Sequence, residues 1–229
     1  MSRNSLAIIP AKGASTRLPK KNILPLAGKP LVGWTIEAAI DSKQFNKVVV
    51  SSEDDGVLDV ASKWPVELIK RPPKLAVDPA GCIDVAKHVI TELESHGEEY
   101  GCITILMPTS PFRTAQDISS AMESFLNNNI NCLISVSEFS HTPFNALVIN
   151  EQNQLAPINT SGFGKKTQEL PVAYRPNGAI FIMEINTIKS SSSLFPEPMC
   201  PYIMSQERSI DIDNQLDLEW AEFFLDKKS

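Results

Sequence analysis

The sequence predicts an α/β fold, a mostly parallel sheet with helices on both faces. Three observations carry this prediction. Short apolar runs recur: LAII at 6–9, VVV at 48–50, ITILM at 103–107 and LISV at 133–136. A strand buried on both faces needs apolar residues at every position. Segments with apolar residues at helical spacing lie between these runs, the rhythm of strand–helix–strand units. The loops after the strands carry small, basic or acidic residues, and such sheets bind ligands beyond the carboxyl ends of their strands.

The elements follow in order. The first strand, 6–9, breaks at Pro10 into the loop AKGASTRLPKKN. Gly28-Lys29-Pro30 is a turn, and 31–40 a helix offering Leu31, Trp34, Ile36, Ala38 and Ala39 for packing. Residues 47–51 form the second strand, and Asp54 and Asp55 supply N-cap chemistry for a helix to about Lys63. A third strand at 66–69 leads into a proline-rich loop, then a helix over 83–96 with Val85, Val89, Ile90 and Leu93 near helical spacing. A strand at 102–107, a loop at 108–113, a helix at 117–126 and a strand at 132–136 complete this half.

From about 139 to 175 punctuating residues and polar tracts take over, with 146–149 the clearest strand. This reads as an inserted lobe of hairpins and irregular loop within one domain spanning 1–229. The strand pattern resumes at 178–184, and 190–193 reads as a loop tip. A last helix begins near Asn214, with Leu216, Trp220, Phe223 and Phe224 as its apolar face.

Composition excludes several function classes. Hydrophobic content of 42% and charged content of 21% are ordinary for a globular protein. No apolar run is long enough to span a bilayer and no signal-peptide pattern opens the chain, so no membrane partner is expected. Cys82, Cys102, Cys132 and Cys200 show neither zinc spacing nor a CxxC motif, which suits reduced thiols in a cytoplasmic protein. His88, His96 and His141 form no metal spacing and no triad.

Charge is uneven. The chain has a net charge of -6, yet residues 1–36 carry six basic side chains and no acid, leaving -12 on the remainder. A local positive potential in an acidic protein suits a small polyanion in one cleft. Nucleic acid would need an extended basic face, so none is expected as a partner.

Two constellations carry chemistry. In the first loop, Gly13, Ser15 and Thr16 stand among Lys12, Arg17, Lys20 and Lys21. Small residues let backbone N–H groups approach an anion, and the basic side chains neutralise it, as at phosphate sites. The second is Ser209-Ile210-Asp211-Ile212-Asp213. If extended, it puts Asp211 and Asp213 on one face. Mg²⁺ is often held by one or two carboxylates plus substrate phosphates. Capping of the next helix accounts for Asp213 or Asn214, with Asp217 in the first turn, but leaves Asp211 unexplained. The loop matches neither the P-loop nor the dinucleotide fingerprint. Nucleotidyl transfer remains, with Lys12, Arg17 and Lys21 holding the phosphates while a hydroxyl displaces pyrophosphate.

Six ordered blocks then speak together: IIPAKGASTRLPKKN, VVVSSEDD, RPPKLAVD, LMPTSPFRT, YRPNGAIFI and SIDIDNQLDLEWAE. Over nearly its whole length the chain resembles the acylneuraminate cytidylyltransferases, the CMP-sugar synthetases of sialic-acid type. The resemblance implies a Rossmann-like three-layer α/β/α nucleotidyltransferase fold and a homodimer built through the inserted lobe. It also implies Mg²⁺ dependence and transfer of CMP from CTP to a nine-carbon 2-keto sugar acid. By position it places Lys12, Gly13, Ser15, Arg17, Lys21, Asn22, Arg71 and Ser110 around CTP. Asp211 and Asp213 fall at the metal, with Lys21 beside them in catalysis; Arg175 and Asn177 fall at the sugar; Phe195 matches a region that reaches the partner's site. Lys21, as a loop cation, is expected to matter for CTP and little for stability.

Three positions depart from the family pattern. Lys12 stands for the usual Arg, Thr16 for a Lys, and Met107 for a Gln common before Pro-Thr-Ser-Pro. A thioether cannot replace an amide's hydrogen bonds. Read as a substrate residue, Met107 favours a deoxy, diacetamido acid such as legionaminic acid; read as packing, it says nothing of the sugar. The A-S-T-R-L-P run is also similar to the synthetase for the eight-carbon acid KDO, and a non-catalytic CTP-binding module stays open as a further alternative.

Overall fold

The computed structural model of the protein describes residues 4–128 and 130–227. Its elements run β1 (Ser5–Pro10), β2 (Pro25–Leu26), β3 (Lys29–Pro30), α1 (Leu31–Ser42), β4 (Lys47–Ser52), α2 (Asp55–Ala61), β5 (Glu67–Lys70), α3 (Cys82–Ser95), β6 (Cys102–Ile105) and α4 (Ala115–Asn127). There follow β7 (Cys132–Glu138), β8 (Leu147–Ile149), β9 (Leu155–Pro157), β10 (Tyr174–Glu184), α5 (Ile185–Ser190), β11 (Cys200–Ile203) and α6 (Gln215–Asp226).

Seven strands form one sheet in the order β11-β7-β10-β6-β1-β4-β5. Four of its six pairings are parallel; β10 runs antiparallel to both β6 and β7. The apolar run of β1 is buried on both sides, as its composition requires. Leu6 and Ile8 pack with Val49, Ile103, Ile105 and the α3 residues Ile83, Ala86, Val89 and Ile90. Ala7 and Ile9 pack with Val32 and Ile36 of α1, Val57 of α2 and Ile118, Met122 and Phe125 of α4. These two clusters make the three α/β/α layers, each large side chain contributing about 2 kcal/mol of burial.

A third cluster positions the site. Leu18, Leu26, Leu31, Ile212, Leu218 and Ala221 bury one another. They fasten α6 to the loop after β1 and to the β2–β3 hairpin, whose turn residues Ala27 and Gly28 have φ of 48° and 78°. Positive φ at both central residues is the geometry of a two-residue hairpin. The two ends of the chain meet through this cluster.

Three elements differ from the sequence expectation. β11 pairs in parallel with β7 at the sheet edge, with alternating half-buried and exposed residues. Its Pro201 is tolerated only because it is an edge strand, and the same proline hides it in the sequence. β8 and β9 form a separate antiparallel pair, as a hairpin lobe should, but Tyr174, Arg175 and Pro176 pair with Glu138, Ser137 and Val136 in the main sheet. Arg175 therefore belongs to the sheet rather than to the lobe.

The third difference is the facing of α6. Leu216, Trp220 and Phe223, expected to pack inward, are 58%, 60% and 56% exposed, while Leu218 and Ala221 are buried. At about 3.6 residues per turn the helix carries two apolar stripes on roughly opposite sides. The cluster around Leu18 and Ile212 takes the stripe of Leu218, Ala221 and Leu225. Among the described residues no helix is long and apolar enough to cross a membrane.

Candidate active site

The loop after β1 is held from both sides. Asn22 Nδ2 donates to the Lys12 carbonyl at 2.8 Å, and the Gly13 N–H donates to Glu53 Oε1 at 2.8 Å. A Cβ at Gly13 would lie 2.3 Å from Asp54 Cβ, so only glycine lets the loop cross this turn so closely. Asp54 caps α2 by accepting from the Val57 N–H at 3.0 Å. Glu53 Oε2 accepts from Arg71 Nε at 3.1 Å and Nη2 at 2.9 Å, and Arg71 is buried.

Burial by itself raises the Glu53 carboxyl. Hydrogen bonds from its own and the Gly13 backbone, with the Arg71 guanidinium, outweigh burial and hold it below the usual carboxylate range. A depressed folded value stabilises the protein above the unfolded pKa, and that stability is lost as pH falls through the folded value. Glu53→Gln is therefore expected to lower stability by about 2 kcal/mol at neutral pH. The deficit should shrink below about pH 4, the range where the unfolded carboxyl protonates. Urea denaturation of both proteins at the two pH values checks this; a deficit independent of pH would mean the charge on Glu53 is immaterial.

The acidic segment is set by different contacts. The Ile212 N–H donates to the Thr109 carbonyl at 2.8 Å, and its side chain is buried. Asn214 is the N-cap of α6, accepting from the Asp217 N–H at 3.1 Å; Asp217 Oδ2 accepts in return from the N–H groups of Asp213 and Asn214. Capping thus uses Asn214 and Asp217 and leaves the Asp213 carboxylate to the basic loop. It accepts from Lys21 Nζ at 2.8 Å and from Arg17 Nη2 at 2.6 Å. Burial pushes the Asp213 carboxyl up, but Lys21 and then Arg17 more than reverse this and hold it low. The Asp211 carboxyl moves the other way. Its walled position raises it, and the charges of Asp213 and Asp217 add to the rise against a hydrogen bond with Thr109 and the charge of Lys21.

Two cavities have walls formed by these segments. The smaller, about 210 Å³, has Lys12, Lys21, Asn22, Arg71, Met107 and Thr109 in its wall. The larger, about 660 Å³, has Arg175, Ser209, Asp211, Leu216, Trp220 and Phe224. Thr109 lines the first and bonds Asp211, which lines the second. The Thr109–Asp211 contact thus links the wall of one cavity to the wall of the other.

A sequence model described as Cytidylyltransferase matches residues 6–187. The chain belongs to the cytidylyltransferase family. It is 31% identical to the pseudaminic acid cytidylyltransferase of Campylobacter jejuni over 95% of this chain and 94% of that one. It is 33% identical to the CMP-N,N'-diacetyllegionaminic acid synthase of Legionella pneumophila over 94% and 93%. The N-acylneuraminate cytidylyltransferase of Escherichia coli is 32% identical over 100% of this chain, which spans about half, 54%, of that longer protein. A solved CMP:2-keto-3-deoxy-manno-octonic acid synthetase complexed with CTP superposes with a TM-score of 0.73 at 16% identity, over 99% of this chain and all of the other. That likeness is one of fold.

Not every expected site residue faces the cavities of this cytidylyltransferase. Ser15 is half-buried in the basic loop, and Lys12 and Arg17 are exposed there. Ser110 is fully buried, its hydroxyl directed at the Asn177 carbonyl at 3.5 Å, so it lines neither cavity. Asn177 is buried too. Its Oδ1 accepts from Ser135 Oγ at 2.6 Å and its Nδ2 donates to Ser209 Oγ at 2.8 Å, which ties the acidic segment to β7. Asn177 lines neither cavity. Met107 lies with Lys12 and Arg71, its Sδ 3.7 Å from Cys82 Sγ, and apart from Arg175. Phe195 lies edge-on to Phe181 at 5.9 Å and lines neither cavity.

The sequence places Glu53, Thr109 and Arg113 in loops at the ligand rim of the sheet but gives none of them a role of its own. Glu53 stands beside the capping Asp54, a context that explains an acid without invoking a site. Arg113 is buried, its pKa pulled down to about 9 by burial against the opposing charge of Asp117. It donates to the carbonyls of Met107 at 3.3 Å and Ala179 at 2.8 Å, clamping the Thr109 loop to β10.

Among the described residues no three His, Cys, Asp or Glu side chains gather to hold a metal. Asp211 and Asp213 are a pair. A pair fits Mg²⁺, which takes one or two carboxylates and completes its shell with phosphates and water. The raised carboxyl of Asp211, pressed by two neighbouring acids, is a charge excess that a divalent cation would relieve.

Proposed function

We propose that this cytidylyltransferase transfers CMP from CTP to the anomeric hydroxyl of a nine-carbon 2-keto sugar acid, a sialic acid or a relative such as legionaminic acid. The observation that carries the reading is the contact of Thr109, in the wall of the smaller cavity, with Asp211, in the wall of the larger, and the bond between Lys21 and Asp213 beside it. The smaller cavity takes the nucleotide, with Arg71 and Asn22 in its wall. The triphosphate lies along Lys12, Arg17 and Lys21, whose charge offsets that of the departing pyrophosphate. The larger cavity takes the acid, with Arg175 available to its carboxylate.

The anomeric oxygen forms a bond to the α-phosphorus as the bond to the bridging oxygen breaks and pyrophosphate leaves. The hydroxyl proton passes to Asp211, whose carboxylate lines the cavity that takes the acid. Asp211 and Asp213 would hold Mg²⁺, which when bound offsets charge on the phosphoryl oxygens. Mixing CTP, Mg²⁺ and each of a panel of sugar acids and measuring pyrophosphate tests the function. Release with nine-carbon acids is expected; release only with the eight-carbon acid, or CTP binding with no release, would replace it.

The proposal includes a homodimer through the β8–β9 lobe. Leu147, Val148, Ile149, Leu155 and Ile158 are all exposed there, an apolar surface unusual for a free hairpin. Ile149→Asp is expected to convert the dimer to a monomer, read by light scattering; an unchanged mass would remove the lobe from the interface. A cytoplasmic setting is supported by the cysteines, none of which forms a disulfide.

A further inference from the structure

We propose that the part of α6 facing the larger cavity is an acceptor-selecting wall, in which Trp220, with Leu216 and Phe224, receives the apolar substituents of the sugar acid. This rests on the larger cavity being the acceptor site. Its lining joins a polar set, Arg175, Ser209 and Asp211, to these three large apolar side chains of one helix. The fold does not need them there: Leu218, Ala221 and Leu225 already fasten α6 to the body. Trp220 is 60% exposed and Leu216 58%, so both keep most of their apolar surface available to a ligand. Binding sites commonly combine such a wall with a few polar groups that fix orientation.

Asp211 stands in the same cavity as the wall, so an acid whose anomeric hydroxyl meets Asp211 extends its remaining carbons within reach of Trp220. Hydroxyl groups set against the indole lose water without gaining a partner. Acylamido methyls and a deoxy carbon gain from the same contact. The wall therefore favours a diacetamido, deoxy acid over a fully hydroxylated one. Met107, for which the sequence left a substrate role and a packing role open, lies in the other cavity.

The test compares kcat/KM, at saturating CTP, for N-acetylneuraminic acid and a diacetamido, deoxy nonulosonic acid. The unsubstituted protein is expected to prefer the latter by about 10-fold or more, the size of one or two methyl contacts. Trp220→Ala should lower that acid's kcat/KM by about 10-fold, mostly through KM, with N-acetylneuraminic acid changing by less than about 3-fold. Leu216→Ala should shift the ratio in the same direction, and it keeps the test intact if Trp220→Ala does not fold. Phe223→Ala, on the same helix but outside the cavity, should change neither acid. An unchanged ratio in Trp220→Ala overturns the wall alone. So does an equal loss for both acids in Trp220→Ala and Phe223→Ala accompanied by a fall in oligomeric mass, which would make the stripe a subunit contact. No transfer to either acid by the unsubstituted protein overturns the acceptor reading itself, and the wall with it.

Discussion

Asp211→Asn is expected to lower CMP transfer by about 10³-fold, the loss typical of removing one preorganised electrostatic group. Its thermal midpoint should hold or rise. The two outcomes have one cause. Among the described residues no salt bridge holds Asp211; its side chain is exposed to solvent on one side, yet the cavity wall on the other and two acidic neighbours push its carboxyl above the usual range. A charge in that position opposes folding, so a neutral isostere relieves the fold while removing the proton acceptor and one carboxylate of the pair. Pyrophosphate release and a melting curve on the same preparation check both. Transfer at the normal rate would remove Asp211 from the chemistry; a collapse of the midpoint in step with activity would make it a structural residue.

Lys21→Ala is expected to reduce CTP affinity and turnover, the latter by about 10²-fold. It should also cost about 1–2 kcal/mol of stability. The expected stability loss comes from the burial of Lys21, which the sequence did not show. As a loop cation Lys21 looks solvated, but it is buried and lies 2.8 Å from Asp213. Its removal leaves that carboxylate with Arg17, which is largely exposed and holds it more weakly. Calorimetric titration with CTP separates the two effects. A large loss of stability with CTP affinity intact would make Lys21 a strut and not a phosphate ligand.

The contact between Lys21 and Asp213 also explains how one loop can serve two states. Both oxygens of Asp213 are taken by cations, Arg17 on one and Lys21 on the other. In the proposed reaction a triphosphate would compete with Asp213 for these two cations, and its carboxylate would then be open to a metal ion shared with Asp211. The like-signed parts of the site are thus balanced within the chain before any ligand arrives.

Much of this arrangement was legible in residue order. The strands of the first half declare themselves because burial on both faces demands unbroken apolar runs, as at Leu6 to Ile9. The basic loop and the acid pair declare themselves by charge in small-residue or extended surroundings. What stayed hidden depends on neighbours that no local window contains. Ser110 and Asn177 have side chains suited to a ligand, yet the turn after β6 and the crossing of β10 enclose them. β11 is concealed by its proline and by its half-polar edge position.

By itself, the sequence determined the α/β class, the cationic loop after the first strand and the carboxylates before the last helix, because each is written in composition and periodicity over a few residues. Only the tertiary structure decided which of two opposite apolar stripes of α6 turns inward, and that Lys21 and Asp213 share a bond across 192 positions. Both follow from the cluster of Leu18, Leu26, Leu31, Ile212, Leu218 and Ala221, where burial of distant side chains against one another selects among faces that local spacing leaves equal.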